Sequence, residues 1–149
     1  DYLSRFYVPA SHQYRRLSQD DHAGARALAQ WKSRVRAAWP HVALRRQDAP
    51  KRRIRFGESL RFEVAVNLGG LQPGDVVVEL LLGRPAGGNQ PKKARSHRFR
   101  HERTLDSGEQ LYALELQPEY CGKIEYRIRI HPHHELLTHP FEMGMMVWL

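Results

Sequence analysis

The stretch PEYCGKIEYRIRIHPHHELLTHPFEMGMMVWL, Pro118 to Leu149, decides the fold. Within it, Lys123 to His131 alternates without interruption. Ile124, Tyr126, Ile128 and Ile130 fall on one side, and Glu125, Arg127 and Arg129 on the other. A strand places successive side chains on opposite faces, so this pattern marks a half-buried strand. The chain then ends on MGMMVWL. An apolar end of this kind needs a core or an interface to cover it. The reading is a loop over PHHELLTHPFE, then a closing strand or docking segment over Met143 to Leu149.

The same period runs backwards through the chain. Leu60, Phe62, Val64, Val66 and Leu68 alternate with Arg61, Glu63, Ala65 and Asn67. Turn signals follow at Gly69-Gly70 and at Gln72-Pro73-Gly74-Asp75. VVVELLLGR, Val76 to Arg84, is apolar on both sides apart from Glu79, which predicts a strand covered on both faces. Residues 83–95, GRPAGGNQPKKAR, read as a mobile basic loop. They lack the Gly-Lys-Ser/Thr ending that a phosphate-cradling loop requires. Ser96 to Leu105 is a polar strand, Asp106-Ser107-Gly108 a turn, and Leu111 to Leu116 a short strand.

Upstream the period changes. HAGARALAQWKSRVRAAW, His22 to Trp39, places Leu28, Trp31, Val35 and Ala38 on one helical stripe. Asp20 and Asp21 supply caps and Pro40 stops the helix. The helix carries arginines but no interleaved base-reading residues, so its stripe reads as core-facing. Residues 1–8 and 11–18 suggest two further short helices, and His41 to Leu44 a short strand. Helices first and strands second, with no helices between the strands, give a mainly β fold. The expected architecture is an antiparallel immunoglobulin-like β-sandwich preceded by an N-terminal helical extension. The division is residues 1–50 for the extension and 51–149 for the sandwich.

Composition narrows the function classes. Lys and Arg number 24 against 16 Asp and Glu, a formal charge of +8. That suits a nucleic-acid surface, an anionic ligand or an acidic partner, but the favoured reading is a solvated basic surface, because charge balance speaks to non-specific binding rather than to fold. No apolar run approaches the roughly 20 residues of a membrane-spanning helix, and no secretory pattern opens the chain. The one cysteine, Cys121, excludes an internal disulfide and reads as structural. Cytoplasm is the expected compartment, without a membrane partner.

Candidate chemistry is sparse. His131, His133, His134 and His139 are the metal suspects, but Pro132 breaks the helical spacing that paired ligands use. Tyr120, Phe141 and Trp148, with Tyr126, are the candidate rings for contact with a glycan or a partner, and each is better read as core. Two basic runs, Lys51-Arg52-Arg53-Arg55 and Lys92-Lys93-Arg95-Arg98-Arg100-Arg103, have only Phe56 and Phe99 as stacking rings. No residue is assigned a catalytic or cofactor-binding role.

Two stretches carry a family resemblance. DYLSRFYVPASHQYRRL followed by ARALAQWKSRVRAAWP resembles the end of the catalytic region of bacterial α-glucan (glycogen, maltodextrin) phosphorylases. EYCGKIEYRIRIHPHHELLTHPFEMGMMVWL resembles the extreme C-terminus of their longer members. The resemblance implies a parent enzyme that uses pyridoxal phosphate and cleaves terminal α-1,4-glucosidic bonds with phosphate, releasing glucose 1-phosphate. In that family a lysine of the two-lobed core binds the cofactor, and none of that core is in this chain. The expectation is an excised piece of a longer protein: a catalytically silent C-terminal accessory domain, serving scaffolding, oligomerisation or glucan positioning. Its partners would be the parent's own catalytic domain, α-glucan, or a second copy. The alternative is a free-standing basic β-sandwich that binds nucleic acid or an acidic protein.

Overall fold

The computed structural model describes residues 23–48, 57–84, 92–118 and 122–149. The helices read over 1–8 and 11–18, the connector at 49–56, the loop tip at 85–91, and Tyr120 and Cys121 lie outside them. Among the described residues, one helix, α1 (Ala23–Ala38), and a short 3-10 turn, Trp39–His41, lead into eight strands. These are β1 (Ala43–Arg46), β2 (Leu60–Asn67), β3 (Val76–Arg84) and β4 (Lys92–Arg98). They continue with β5 (Arg100–Thr104), β6 (Gln110–Leu116), β7 (Glu125–Pro132) and β8 (Val147–Trp148). A second 3-10 turn, Pro73–Asp75, precedes β3. Sheet A has the order β1-β2-β6-β5 and sheet B the order β4-β3-β7-β8. All pairings are antiparallel.

The alternation read from sequence sets the inner faces. Phe62, Val64, Val66 and Tyr112 of sheet A meet Val76, Val78, Leu80, Leu82, Ile128 and Ile130 of sheet B in one core. Val64, Val66, Leu80 and Ile130 are fully buried. Burial of such a side chain is worth roughly 1.5–3 kcal/mol, so the inner faces dominate the stability of the sandwich. The outer face of sheet A is charged. Arg45 pairs with Glu109 at 2.9 Å, and Arg61 with Glu63 at 2.9 Å and Glu102 at 3.0 Å. Between these long side chains, Ala65, Leu111 and Ala113 are buried although they face outward.

The helix stripe is sealed into the same core. Leu28, Trp31 and Val35 are buried within it, with Ala38 packed alongside. Trp31 Nε1 donates to Asp75 Oδ1 at 3.0 Å, which fixes α1 to the turn before β3. Asp75 also accepts from the Gln72 N–H through Oδ2 at 2.9 Å, closing a capping box. Its carbonyl accepts from the His133 N–H at 2.7 Å. Tyr112 reaches the same turn, donating to the Pro73 carbonyl at 3.3 Å, and burial pushes its phenol up to about 12.

Several boundaries differ from the sequence reading. The basic loop expected over 83–95 is corrected at both ends, because β3 runs to Arg84 and β4 begins at Lys92, both held by ladder pairing. The polar strand expected over Ser96 to Leu105 divides at Phe99. Its N–H still donates to the Val78 carbonyl of sheet B at 2.8 Å, and β5 then pairs in sheet A. Phe99 is buried at this crossing, so burial of one ring decides where the strand changes sheets. The short strand near His41 lies at Ala43–Arg46, since the 3-10 turn of Trp39–His41 occupies the preceding residues. The closing strand is only Val147–Trp148, paired with Ile130 and Arg129, while 133–146 wraps past the sandwich in turns.

Gly69 sits at φ +60, where a Cβ would lie 2.7 Å from the Ala38 carbonyl oxygen and 3.0 Å from His41 Cβ. The end of α1 and the turn after β2 therefore approach each other only because residue 69 lacks a side chain. Gly69→Ala is expected to destabilise the fold by about 2–4 kcal/mol, combining left-handed strain and steric overlap. Gly74→Ala, with open space around its Cβ, should stay within about 1 kcal/mol. Urea-denaturation midpoints of the two variants check this.

Candidate functional site

The outer face of sheet B holds the densest cluster of polar and aromatic groups. Cross-strand register puts Arg98, Glu79, Arg129 and Trp148 in one row across β4, β3, β7 and β8. The next row on the same face pairs Val77 with His131. Glu79 and His131 are both buried, at 7% and 3% exposure. A carboxylate so placed needs partners. The Glu79 carboxylate accepts hydrogen bonds from Arg129, and His131 Nε2 lies 3.6 Å away. The His131 Nδ1 donates to the Pro132 carbonyl at 3.0 Å, since a carbonyl oxygen can only accept. The His131 contact and the Arg129 hydrogen bonds outweigh burial and hold the Glu79 carboxyl below its usual range.

Two rings cover this group. The Arg129 guanidinium lies 4.8 Å from the Phe141 ring centre and 5.5 Å from that of Trp148. Arg127 stacks on Trp148 at 4.5 Å. Phe141 also meets His131 edge-on at 5.0 Å. These cation–π and edge contacts seat the 133–146 segment on sheet B. Phe141 remains 39% exposed and Trp148 is half-buried. Of the three aromatic candidates, Phe141 and Trp148 thus flank one arginine, and Tyr120 is outside the described residues.

The histidines are spread over several structural tasks. The Nδ1 of His134 accepts the Leu136 N–H at 3.0 Å, and its ring lies 4.9 Å from Trp31. The Nδ1 of His139 accepts the Phe141 N–H at 3.1 Å. Burial, then Arg98 and the neighbouring His131 and His134, lower the pKa of His133. His131 instead faces Glu79. Among the described residues no group of three or more His, Cys, Asp or Glu is placed to hold a metal ion.

A second cluster bridges the sheets at the opposite side. Arg46 donates to Asp48 at 2.6 and 2.9 Å and to the Tyr126 hydroxyl at 2.8 Å. Its guanidinium lies 5.3 Å from the Phe62 ring and 5.2 Å from that of Tyr126. Burial alone would raise the Asp48 pKa, but hydrogen bonds from Arg46 and the Glu63 N–H bring it below the ordinary value.

Sequence reading did not single out Glu79, Arg129, Arg46 or Asp75 as anchors. The signal for Glu79 was present: one carboxylate inside a strand apolar on both faces. Of the two basic runs, Lys51, Arg52, Arg53, Arg55 and Phe56 lie outside the described residues. Phe99 is a core residue and not a stacking ring. Lys32 is bound to Glu142 at 3.4 Å on the surface, and Lys123 is exposed. A lysine that forms a Schiff base needs a desolvating pocket, so these two do not fit a pyridoxal phosphate site. No helix among the described residues is long and apolar enough to cross a membrane.

These clusters belong to a two-sheet β-sandwich, in which charges pair across strands and rings close over them. Residues 39–149 match the family described as the glycogen phosphorylase C-terminal domain, and the chain belongs to that family. It is 29% identical over 149 residues to the glycogen phosphorylase of Mycobacterium tuberculosis, covering 98% of this chain and 17% of that protein. It is 30% identical over 153 residues to the maltodextrin phosphorylase of Thermococcus litoralis, covering 99% of this chain and 17% of that protein. The chain thus spans 17% of the length of the curated relatives it matches. No solved structure matches it.

Removing the Glu79 charge leaves the partly buried Arg129 without its counter-ion. Glu79→Ala is expected to cost about 3 kcal/mol, the low end for breaking a buried pair. Because the folded pKa of Glu79 is depressed, its contribution is complete above the ordinary carboxyl value of 4.5. It is lost as pH falls through the folded value. Glu79→Gln should therefore be less stable than wild type at neutral pH and show a flatter acid limb below about pH 4.5. Chemical denaturation across the pH range checks both.

Proposed function

We propose that this chain is the non-catalytic C-terminal accessory unit of an α-glucan phosphorylase, with scaffolding as its main role. The observation that carries this reading is the span of the family match. Residues 39–149 take in every described strand of both sheets, so the two-sheet sandwich corresponds to that C-terminal domain. In this reading the parent phosphorolyses α-1,4-glucan to glucose 1-phosphate with pyridoxal phosphate held elsewhere in the parent. It works in the cytoplasm. Residues 1–50 go with the end of the catalytic region and its connector, and 51–149 with the sandwich, to which the first part contributes the edge strand β1 and the core-packing helix α1. The strand order, β1-β2-β6-β5 facing β4-β3-β7-β8, supports an immunoglobulin-like sandwich. It follows the A-B-E-D and C′-C-F-G arrangement.

Scaffolding is favoured over glucan positioning by the state of the aromatic pair. Sugar-binding faces offer free rings for stacking, whereas Phe141 and Trp148 hold Arg129 between them. Oligomerisation of the parent through this unit fits the same reading.

The purified chain, given maltodextrin and phosphate, is expected to release no glucose 1-phosphate in a coupled assay. Detectable phosphorolysis overturns the proposal. In the parent enzyme, deletion of 39–149 should lower thermal stability or change the association state, with KM for glycogen and for short maltodextrins unchanged. A selective rise in the glycogen KM would assign glucan positioning instead. Retardation of the isolated chain in glycogen gels would point the same way. Retardation by duplex DNA alone would favour a nucleic-acid module.

A further inference from the structure

We propose that the basic ribbon at residues 92–104 is a docking edge for an extended, acidic polypeptide segment of a partner protein, which adds to sheet A beside β5. The inference rests on the sandwich alone and does not depend on the phosphorylase reading. Its first support is topological. β4 is the terminal strand of sheet B and β5 the terminal strand of sheet A. The two are joined through Phe99, so one run of chain forms the border of both sheets along this side. Every residue of β5 is exposed, and among the described residues no strand pairs with its outer side. A terminal strand presents backbone N–H and C=O groups to an incoming chain.

The second support is charge. The ribbon contains Lys92, Lys93, Arg95, Arg98, Arg100 and Arg103 against one acid, Glu102. That acid is already taken by Arg61. Elsewhere on the sandwich, Arg45, Arg46, Arg61 and Arg129 each have a carboxylate partner. Arg98, Arg100 and Arg103 are exposed and have none among the described residues. Like charges directly opposite one another destabilise a strand pair, so the ribbon repels a second copy of itself. The register shift between His101 and Arg103 adds a kink against self-pairing. An incoming strand with Asp or Glu at alternate positions turns the same charges into attraction while making main-chain hydrogen bonds. The ribbon's one Phe, Tyr or Trp, Phe99, is buried, and the His101 ring is already engaged by Tyr112 and Gln110, so the ribbon lacks the row of free rings on which single-stranded nucleic acid stacks.

The test uses the whole chain and a synthetic peptide of alternating Glu and Val. Binding is followed by fluorescence anisotropy and by hydrogen exchange of the backbone amides at 100–104. The expected result is saturable, salt-sensitive binding with new protection at those amides. Charge reversal at Arg98→Glu, Arg100→Glu and Arg103→Glu should weaken it about tenfold or more. A peptide of identical charge, N-methylated at alternate residues, should also bind wild type about tenfold more weakly, because it cannot pair as a strand. The N-methylated comparison needs no variant and decides the matter even where the triple substitution fails to fold. Equal binding of the N-methylated peptide, absence of binding, or equally tight binding of duplex DNA each overturns the proposal.

Discussion

The structure depends on one constraint: β3 is buried on both of its faces. Val76, Val78, Leu80 and Leu82 face the core, while Val77, Glu79 and Leu81 face outward and are buried as well. An antiparallel sheet in a two-layer sandwich ordinarily leaves its outer face to water. Here the C-terminal segment supplies a third, partial layer. Phe141 and Trp148 close over Arg129, and Arg129 neutralises Glu79. The apolar end of the chain and the apolar double face of β3 are two halves of one requirement.

The helix is joined to this arrangement through Asp75. One carboxylate and its carbonyl receive Trp31, Gln72 and His133, which come from the helix, the turn before β3 and the covering segment. Lys32 then reaches Glu142, next to Phe141. α1 is thus part of the sandwich core and not a tether lying on its surface. Scaffolding suits such a body, because a helix fixed at several points carries position from one element to the next.

Much of the fold was legible because it rests on period. Leu60 to Leu68 and Lys123 to His131 alternate over enough residues to fix both strand and inner face, and the stripe Leu28, Trp31, Val35 defined the buried side of the helix. What period could not show was the division at Phe99. The residues on either side, Arg98 and Arg100, look alike in sequence and pair in different sheets, with the buried Phe99 at the changeover. The outer cluster was half legible. Glu79 stood out as an isolated carboxylate in an apolar strand. Its partners sit on β7, 50 residues away in the case of Arg129, and only the register of β3 with β7 brings them together. The histidines read as metal suspects because they are close in sequence. The turns then direct their rings to different neighbours.

The crossing at Phe99 has a mechanical consequence. The two layers of a sandwich can in principle shear past each other, since only side-chain packing joins them. In this chain a single unbroken run of backbone is the border of one layer and then of the other, with a buried ring at the changeover. Displacement of one layer is therefore transmitted covalently along that side. The Arg46 cluster, with its grip on Tyr126, resists parting of the layers on the opposite side. The two layers are thus tied on both sides, by backbone at Phe99 and by side chains at Arg46.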